Sequence, residues 1–504
     1  MGGQKHVVVV GAGPGGLTAA MILAHRGLRV SVFEAAATVG GRNAAMRLGP
    51  YCFDVGPTFL MLSGILDEVF HEAGAAMGSL LEMRRLDPMY RLYYPDRQMD
   101  ISSDAERMKQ EIARCFPGRE HHYDAFFKRE SLRFKRLFPC LQKSYHRLST
   151  MFSPDLLRAL PHLALGRSLF DVMFGRFGDA DLALSFTFQS KYLGMSPWAC
   201  PGLFSIIPYI EHAYGILHPQ GGLSRISEVM ADVARQNGAE LHLGTAVKQV
   251  VVRQGRAVGV QLADGTVLEG DDVVINADFG YAATQLFAPG TLRKYTPARV
   301  AAKKYSCSTF MLYLGLDRLF ELPHHAVVFA RDYRANIKAV FDGQATTPDI
   351  SFYVRNASRT DPSLAPAGHS ALYVLTPVAN LRGVVDWSSA AGAFREVVLD
   401  ALEQRLGLKG LRGHIVAERV VTPLDWQDEF RVYAGATFNL AHNLGQMIYL
   451  RPRNKFEDVD HCYLVGGGTH PGSGLPTIYE SGRIAANLIA RAHGLSFISG
   501  NLEV

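Results

Sequence analysis

The sequence predicts an α/β protein of two or more domains, and three stretches carry that prediction. Residues 7–34 read as strand, glycine turn, helix and strand. Residues 247–275 alternate apolar and polar side chains around glycine turns, the pattern of an antiparallel meander that ends in a buried strand. Residues 462–492 repeat the order strand, glycine turn, helix. At 504 residues the chain also exceeds the roughly 250–300 residues over which a single core usually grows.

Taken in order, Val7–Val10 is an apolar run suited to a buried strand, "GAGPGG" (11–16) a tight turn, Leu17–Arg26 a helix and Arg29–Glu34 a second strand. Gly11, Gly13 and Gly16 fit G-x-G-x-x-G, with Gly15 inside the same turn. The first allows the turn, the second lets a pyrophosphate approach the backbone, and the third lets helix pack on strand. The helix N-terminus then offers free N–H groups and the positive dipole end to a diphosphate. Glu34 closes the second strand, 23 residues after Gly11, where a carboxylate accepts ribose hydroxyls. The whole unit predicts dinucleotide binding.

Pro50–Leu66 is turn-rich and then helical, and Met89–Tyr94 reads as a strand. Ser102–Cys115 reads as a helix opened by Ser102 or Ser103, with Asp104 and Glu106 in its first turn. Much of 123–217 is helical, interrupted by proline and glycine. A Gly-Gly turn at 221–222 opens a helix to about Gln236, and Gln254-Gly255 and Asp264-Gly265 mark the meander's turns before the apolar run Val273–Ile275. Strand-like runs follow at Ser306–Leu316, Ala326–Ala330, Ile350–Val354 and Leu372–Leu375, with a helix near Ala390–Leu406. The last pieces are the strand Cys462–Val465, a glycine turn, and a helix from about Thr477 to Ala492.

Composition excludes several classes. Hydrophobic residues make up 48% and charged residues 20%, a globular balance. The six cysteines are scattered without a C-x-x-C pair, which argues against a zinc site or disulfide framework and fits a reducing compartment. The first strand begins near His6, so no secretory leader is expected, and His6 stands where a myristoylation signal wants Ser or Thr. No metal-ligand spacing, nucleophile elbow or Ser-His-Asp order is present. Tyr192–Ile210 is uncharged and about long enough to span a bilayer, but Pro197, Pro201 and Pro208 break any single helix, so no span is expected. Between Lys128 and Arg176, ten basic residues face three acidic ones, a net of +7 where the entire chain carries +5. Interleaved Phe and Leu recur there largely at helical intervals. Two readings stand: a solvated helical face over a core stripe, or a basic, aromatic-rich patch lying on an anionic membrane surface. Nucleic acid is not an expected partner, because the chain contains no recognisable reader.

Two further motifs, "VGGRN" (39–43) and "FDVGPT" (53–58), resemble the GG-R motif of two-domain flavoproteins related to amine oxidases. The resemblance places Gly40, Gly41 and Arg42, with Gly56 and Pro57, along the diphosphate side of FAD. Val39 departs from the lysine or proline of that family. "HPQGGLSRISEVMADVARQNGAELHLGTAVKQV", "VVINAD", "TPLDWQDEF", "FNLAHNLGQMIYLRP" and "YLVGGGTHPGSGLPTIYESGRIAANLI" together resemble the bacterial phytoene desaturases, a family of carotenoid desaturases. The similarity runs from the first residues to the last helix and is weakest over 109–203.

That resemblance implies a Rossmann-like FAD-binding domain (1–88 with 221–295 and 420–504), a β-sheet substrate domain (89–100 with 296–419), and a helical lid or membrane-facing subdomain (101–220). It puts the backbone near Val247 at the adenine. The terminal turn, with Gly467, Gly468, Gly474, Pro476, Thr477 and Ile478, would line the isoalloxazine, the helix N-terminus facing its N1/C2-carbonyl edge. His470 and Glu480 are acid–base candidates there, although packing of His470 and the dipole preference for Glu480 explain both without chemistry. Asp425, Asp428 and Glu429 read as structural.

The implied activity is removal of hydrogen from a linear C30 or C40 isoprenoid, with hydride going to flavin N5. The residual cation would spread over a polyene, so its neighbouring proton needs no strong base, and the protein must mainly hold an apolar chain in a dry tunnel. Phe186–Phe188 and Trp198–Ile210 either line that tunnel or belong to a generic core. The implied setting is peripheral, on the cytoplasmic face of the cell membrane, with quinone or oxygen as the final electron acceptor. Three alternatives remain: a carotene isomerase using reduced flavin, an oxygenase of a terminal methyl group, and a non-catalytic prenyl-binding protein of the same architecture.

Overall fold

The computed structural model describes residues 4–496; residues 1–3 and 497–504, which the expected FAD-domain boundaries include, lie outside the described residues. A five-stranded parallel sheet runs in the order Cys462–Leu464, Asp272–Ile275, His6–Val10, Arg29–Phe33, Glu240–His242. Its strands are apolar on both sides because both faces are covered. Val7, Val9, Val30 and Val32 pack into one core with the helices Pro14–His25, Ser224–Gln236 and Leu475–Ala492. Val8, Val10, Val273 and Ile275 point the other way, into a core shared with the antiparallel meander Val247–Arg253, Arg256–Leu262, Val267–Glu269.

Two glycines let the helical layer close up. A Cβ on Gly16 would lie 2.2 Å from the Gly11 carbonyl oxygen, and one on Gly482 would lie 2.5 Å from the Gly15 carbonyl oxygen. Helix Pro14–His25 is thereby seated directly on the first turn and crossed at backbone contact by helix Leu475–Ala492. A helical glycine costs about 1 kcal/mol relative to alanine, and here the close approach offsets it.

A second sheet has seven strands in the order Ile415–Val421, Ser308–Leu316, Ser370–Val378, Phe352–Asn356, His325–Val328, Tyr90–Tyr93, Gln98–Ile101. All nine residues of Ser308–Leu316 are buried, and they alternate between two cores. Phe310, Leu312 and Leu314 meet Trp387, Phe394 and Val398 of helix Trp387–Arg405. Met311 and Tyr313 meet Tyr51 and Phe53 of the hairpin Ala45–Leu48/Tyr51–Asp54. Asp54, at the end of that hairpin, accepts hydrogen bonds from the N–H groups of Leu223 (3.0 Å) and Ser224 (2.8 Å) and from Arg355 Nη1 (2.6 Å). One buried carboxylate thus ties the hairpin to the start of helix Ser224–Gln236 and to the seven-stranded sheet.

The helical region contains His122–Leu141, Pro154–Ala159, Leu169–Phe177, Ala180–Ser185 and Ile206–Tyr214. Four local expectations change. The stretch before residue 63 is not simply turn-rich, because residues 45–54 form the hairpin. The helix expected from Ser102 starts at Ala105, since Asp104 is its cap and accepts from the Arg107 N–H at 2.9 Å. The first helix begins at Pro14 and that of the terminal turn at Leu475, because proline in the first turn loses no hydrogen bond. The uncharged stretch 192–210 folds into short 3-10 turns and the start of helix Ile206–Tyr214; among the described residues no helix is long and apolar enough to cross a membrane.

Candidate active site

A cavity of about 680 Å³ opens between the carboxyl ends of the parallel strands, the hairpin and the seven-stranded sheet. Crevices at that edge of a parallel sheet are where ligands bind in such folds. Its lining falls into a polar glycine-rich half and an apolar half.

In the first half two helix N-termini, those of Pro14–His25 and Leu475–Ala492, open into one cavity, which Gly13, Pro14, Gly474, Leu475, Pro476 and Ile478 line. Each helix is preceded by a glycine, Gly13 or Gly474, that has no side chain to cap it, so the first-turn N–H groups are free for a ligand. Gly41 and Gly474 have φ of +54° and +111°, and a Cβ on either would meet no protein atom closer than 3.6 Å. Both leave open space at the cavity wall. Glu34 lines the same half and anchors the loops around it, accepting from the N–H groups of Ala12 (2.7 Å) and Ala36 (2.9 Å).

Arg42 supplies the charge. Its Nη1 donates to the Thr437 carbonyl at 2.6 Å, and among the described residues it has no carboxylate within ion-pair distance. Burial lowers its pKa, opposed by the more distant Asp278. A half-buried cation with no carboxylate partner, beside two open helix N-termini, can accept an anionic group such as a diphosphate. The residues present fit a flavin nucleotide: Gly11, Gly13, Glu34, Gly40, Gly41, Arg42, Gly56, Pro57, Val247, Gly467, Gly474, Pro476 and Ile478 all line this cavity.

The other expected residues stand behind that lining. Gly15 and Gly16 lie inside the first helix, Gly468 packs on Phe279 and Asn439, and Thr477 Oγ1 returns to the Gly472, Ser473 and Gly474 carbonyls. His470 and Glu480 need correction as acid–base candidates, because neither reaches the cavity. His470 is buried 5.0 Å from the Tyr145 ring, and burial pushes its pKa down to about 3, so it stays neutral. Glu480 is sealed in beside Arg483 at 3.4 Å, and burial pushes its carboxyl up to about 7.

What fixes the terminal turn is the "FNLAHNLGQMIYLRP" segment. Arg451 is fully buried and donates to five backbone carbonyls: Thr469 (3.0 Å), Ala441 (3.2 Å), Gln446 (3.1 Å), Leu440 (3.2 Å) and Gly467 (2.6 Å). His442 Nε2 accepts from the Ser473 N–H at 3.0 Å, and Ser473 Oγ donates to the Phe438 carbonyl at 2.6 Å. Burial, with the Arg451 charge adding to it, holds the His442 pKa well below its usual value, which keeps that ring a neutral acceptor.

The apolar half is lined by Phe59, Met61, Phe188, Tyr192, Met311, Val327, Leu375 and Pro377. Phe59 stacks on His325 at 4.3 Å, and Tyr353 bridges His325 Nδ1 (2.7 Å) and Thr58 Oγ1 (2.8 Å), which cross-links the wall. Of the tunnel segments named above, only Phe188 reaches the lining; Phe186 packs with Phe177 and His212, and Trp198–Ile210 belongs to the surrounding core. One cation sits here. Lys191 Nζ lies 3.2 Å from Ser351 Oγ and 5.0 Å from the Tyr333 ring, and burial pushes its pKa down to about 7. Behind Tyr192, Glu211 accepts from Tyr90 Oη and Gln189 Nε2, both at 2.8 Å, with its carboxyl pushed up to about 7 by burial.

Sequence reasoning gave no role to Lys191, Asn276, Asp278 or Trp426. Asn276 and Asp278 were within reach: they follow the parallel strand Asp272–Ile275, whose carboxyl end must face the crevice. Asp425, in contrast, is the structural residue expected, closing a capping box with Thr422.

Residues 14–490 match the model of the flavin containing amine oxidoreductase family. A 4,4'-diapophytoene desaturase (4,4'-diapolycopene-forming) of Methylomonas sp is 50% identical over 497 residues, covering 99% of this chain and 97% of that protein. An all-trans-zeta-carotene desaturase of Myxococcus xanthus is 40% identical, covering 99% of this chain and 96% of its own. In fold, the crystal structure of an oxidoreductase from Methanosarcina mazei superposes with a TM-score of 0.63 at 18% identity, covering 96% of this chain and 100% of that one.

Proposed function

This chain belongs to the flavin containing amine oxidoreductase family, and from that premise we propose that it is an FAD-dependent desaturase of a linear C30 or C40 isoprenoid, with 4,4'-diapophytoene as its first candidate substrate. The carrying observation is one cavity with two chemistries, two uncapped helix N-termini and Arg42 at one end and an aromatic-aliphatic wall at the other. The 50% identity to a 4,4'-diapophytoene desaturase supports the substrate class.

Bound FAD would supply the hydride acceptor, held by Gly11, Gly13, Glu34, Gly41 and Arg42 at its nucleotide end and by Gly467, Gly474 and Pro476 at its ring end. The chain's own part is binding and exclusion. Phe59, Phe188, Tyr192 and Met311 offer an isoprenoid only van der Waals surface, and the Tyr353–His325–Thr58 bonds keep that wall from collapsing. An isoprenoid filling this apolar half would leave little room for water, so a developing allylic cation would be shielded from quenching before its proton leaves. Lys191 is the cavity amine able to take such a proton, since burial keeps part of it neutral near pH 7.

We further read the enzyme as peripheral on the cytoplasmic face of the membrane, with quinone or oxygen taking the electrons. Seven of the fifteen large apolar side chains exposed among the described residues fall between Leu132 and Phe174, including Phe152 at 70% exposure. They share this stretch with the excess positive charge, which supports the amphipathic surface over the solvated face. Expression in one host that makes phytoene and another that makes diapophytoene tests the substrate reading. New pigments lighter by pairs of hydrogens are expected; masses that are unchanged, or raised by oxygen, would support the isomerase or the oxygenase instead.

A further inference from the structure

A second cavity, of about 250 Å³, lies in the helical region away from the site above, and its walls carry four arginines: Arg129, Arg133, Arg167 and Arg176. One carboxylate, paired with two of them, stands against all four charges. Glu130, fully buried, takes Arg133 Nη1 at 2.6 Å on one oxygen and Arg176 Nη2 at 2.9 Å on the other. Among the described residues Arg129 and Arg167 have no carboxylate within ion-pair distance, and Arg167 donates only to the Asp171 carbonyl at 2.7 Å. The cavity therefore holds an excess of three positive charges. Arg176 Nε is buried without a hydrogen-bond partner, an unmet donor that itself calls for an acceptor.

Gly175 at the rim lets Arg167 Nη2 come close, within 2.9 Å of where a Cβ would stand. Burial and the three neighbouring guanidiniums pull the Arg176 pKa down, with Glu130 opposing them, so the cations strain against one another as built. Apolar side chains are exposed on the same segments. Leu132, Leu160, Leu165 and Phe174 are all exposed, and each is the sequence neighbour of a residue that lines the cavity: Arg133, Pro161, Ala164 and Gly175. An oxyanion inside, with exposed hydrocarbon on the same short segments, matches the chemistry of a phospholipid. Arginine's planar fork is matched to phosphate oxygens, and the open volume leaves room for them.

We propose that this four-arginine cavity is a binding site for the phosphate of an anionic membrane lipid, which seats the helical region on the bilayer; the proposal rests on the peripheral-membrane reading above. The test uses the full-length flavin-loaded protein and vesicles of phosphatidylcholine alone, with phosphatidylglycerol, or with oleate at matched surface charge. Arg129→Gln/Arg167→Gln removes the two arginines that lack a carboxylate. Lys135→Gln/Arg136→Gln removes the same charge from exposed positions outside the cavity. The wild type should prefer phosphatidylglycerol to oleate vesicles, and the cavity pair should lose about tenfold in binding to phosphatidylglycerol with little loss on oleate. The control pair should lose less, and equally on both.

Equal losses for the two pairs, or equal wild-type binding to both anionic vesicles, would overturn the proposal while leaving the membrane reading intact. Binding to none of the vesicles would overturn both. Inorganic phosphate that raises the melting temperature of the wild type but not of the cavity pair, with vesicle binding indifferent to that pair, would assign the cavity to a free anion and overturn the lipid assignment.

Discussion

Single residues decide whether the two halves of this molecule hold together and whether the cavity stays open. Asp54 is the clearest case, because its carboxylate is buried and serves Arg355 and two helix N–H groups at once. Removing one member of a buried ion pair strands the other charge, at a cost of about 3–5 kcal/mol. Asp54→Asn should therefore lower the denaturation midpoint strongly, and Asp54→Asn with Arg355→Met should recover part of the loss; a single variant as stable as wild type would show that the latch carries little. Gly41 tests the opposite property. A side chain there enters open space, so Gly41→Val should fold with a modest loss, about 1–2 kcal/mol for a positive φ. Its flavin affinity should fall by more than about tenfold, read as lost visible absorbance after dialysis. Normal flavin retention would mean that the glycine faces something other than the cofactor.

At the scale of elements, the terminal turn depends on a segment some 20–30 residues before it rather than on its own side chains. Arg451→Lys has three donors where five carbonyls now share one guanidinium, so it should cost about 2–4 kcal/mol and loosen flavin binding. Limited proteolysis should then cut near Gly472–Gly474 in the apoprotein. The apolar wall makes a prediction about pH. Lys191 has a folded-state pKa near 7, below its unfolded value, so the unfolded chain binds more protons between about pH 7 and 10, and stability rises with pH across that window. Glu211 works in the other sense. Its folded pKa near 7 exceeds the unfolded value, so its contribution is full below about pH 4.5 and is lost as pH rises through 7. Lys191→Met should flatten the alkaline rise in melting temperature and Glu211→Gln the loss between pH 5 and 7; unchanged profiles would contradict the burial that sets both values.

Across the whole molecule, what could be read in advance was what is local. The nucleotide-binding βαβ unit is specified within 7–34, where three glycines and Glu34 state the chemistry by spacing alone. The meander turns are equally local, and Gln254, Gly255 and Gly265 do take positive φ. Strand Ile415–Val421 escaped because it carries Glu418 and Arg419, and it becomes a strand only by pairing with Ser308–Leu316 about a hundred residues earlier. Lys191 escaped for the same reason: Tyr333 and Ser351, which surround it, are distant in sequence. His470 stood open between packing and chemistry because its contact with Tyr145, from the distant helical region, is not legible in the glycine turn. The second glycine turn shares the cavity of the first, since both uncapped helix N-termini open into it.

The central claim is that an isoprenoid held against the apolar wall gives up hydrogen to the flavin. Anaerobic mixing of the flavin-loaded enzyme with 4,4'-diapophytoene in liposomes tests it in one step. The account predicts that the oxidised-flavin absorbance bleaches as one hydrogen pair is lost from the carotene for each flavin reduced. Flavin that stays oxidised beside a carotene of unchanged mass, with phytoene tried in parallel and equally inert, would contradict it.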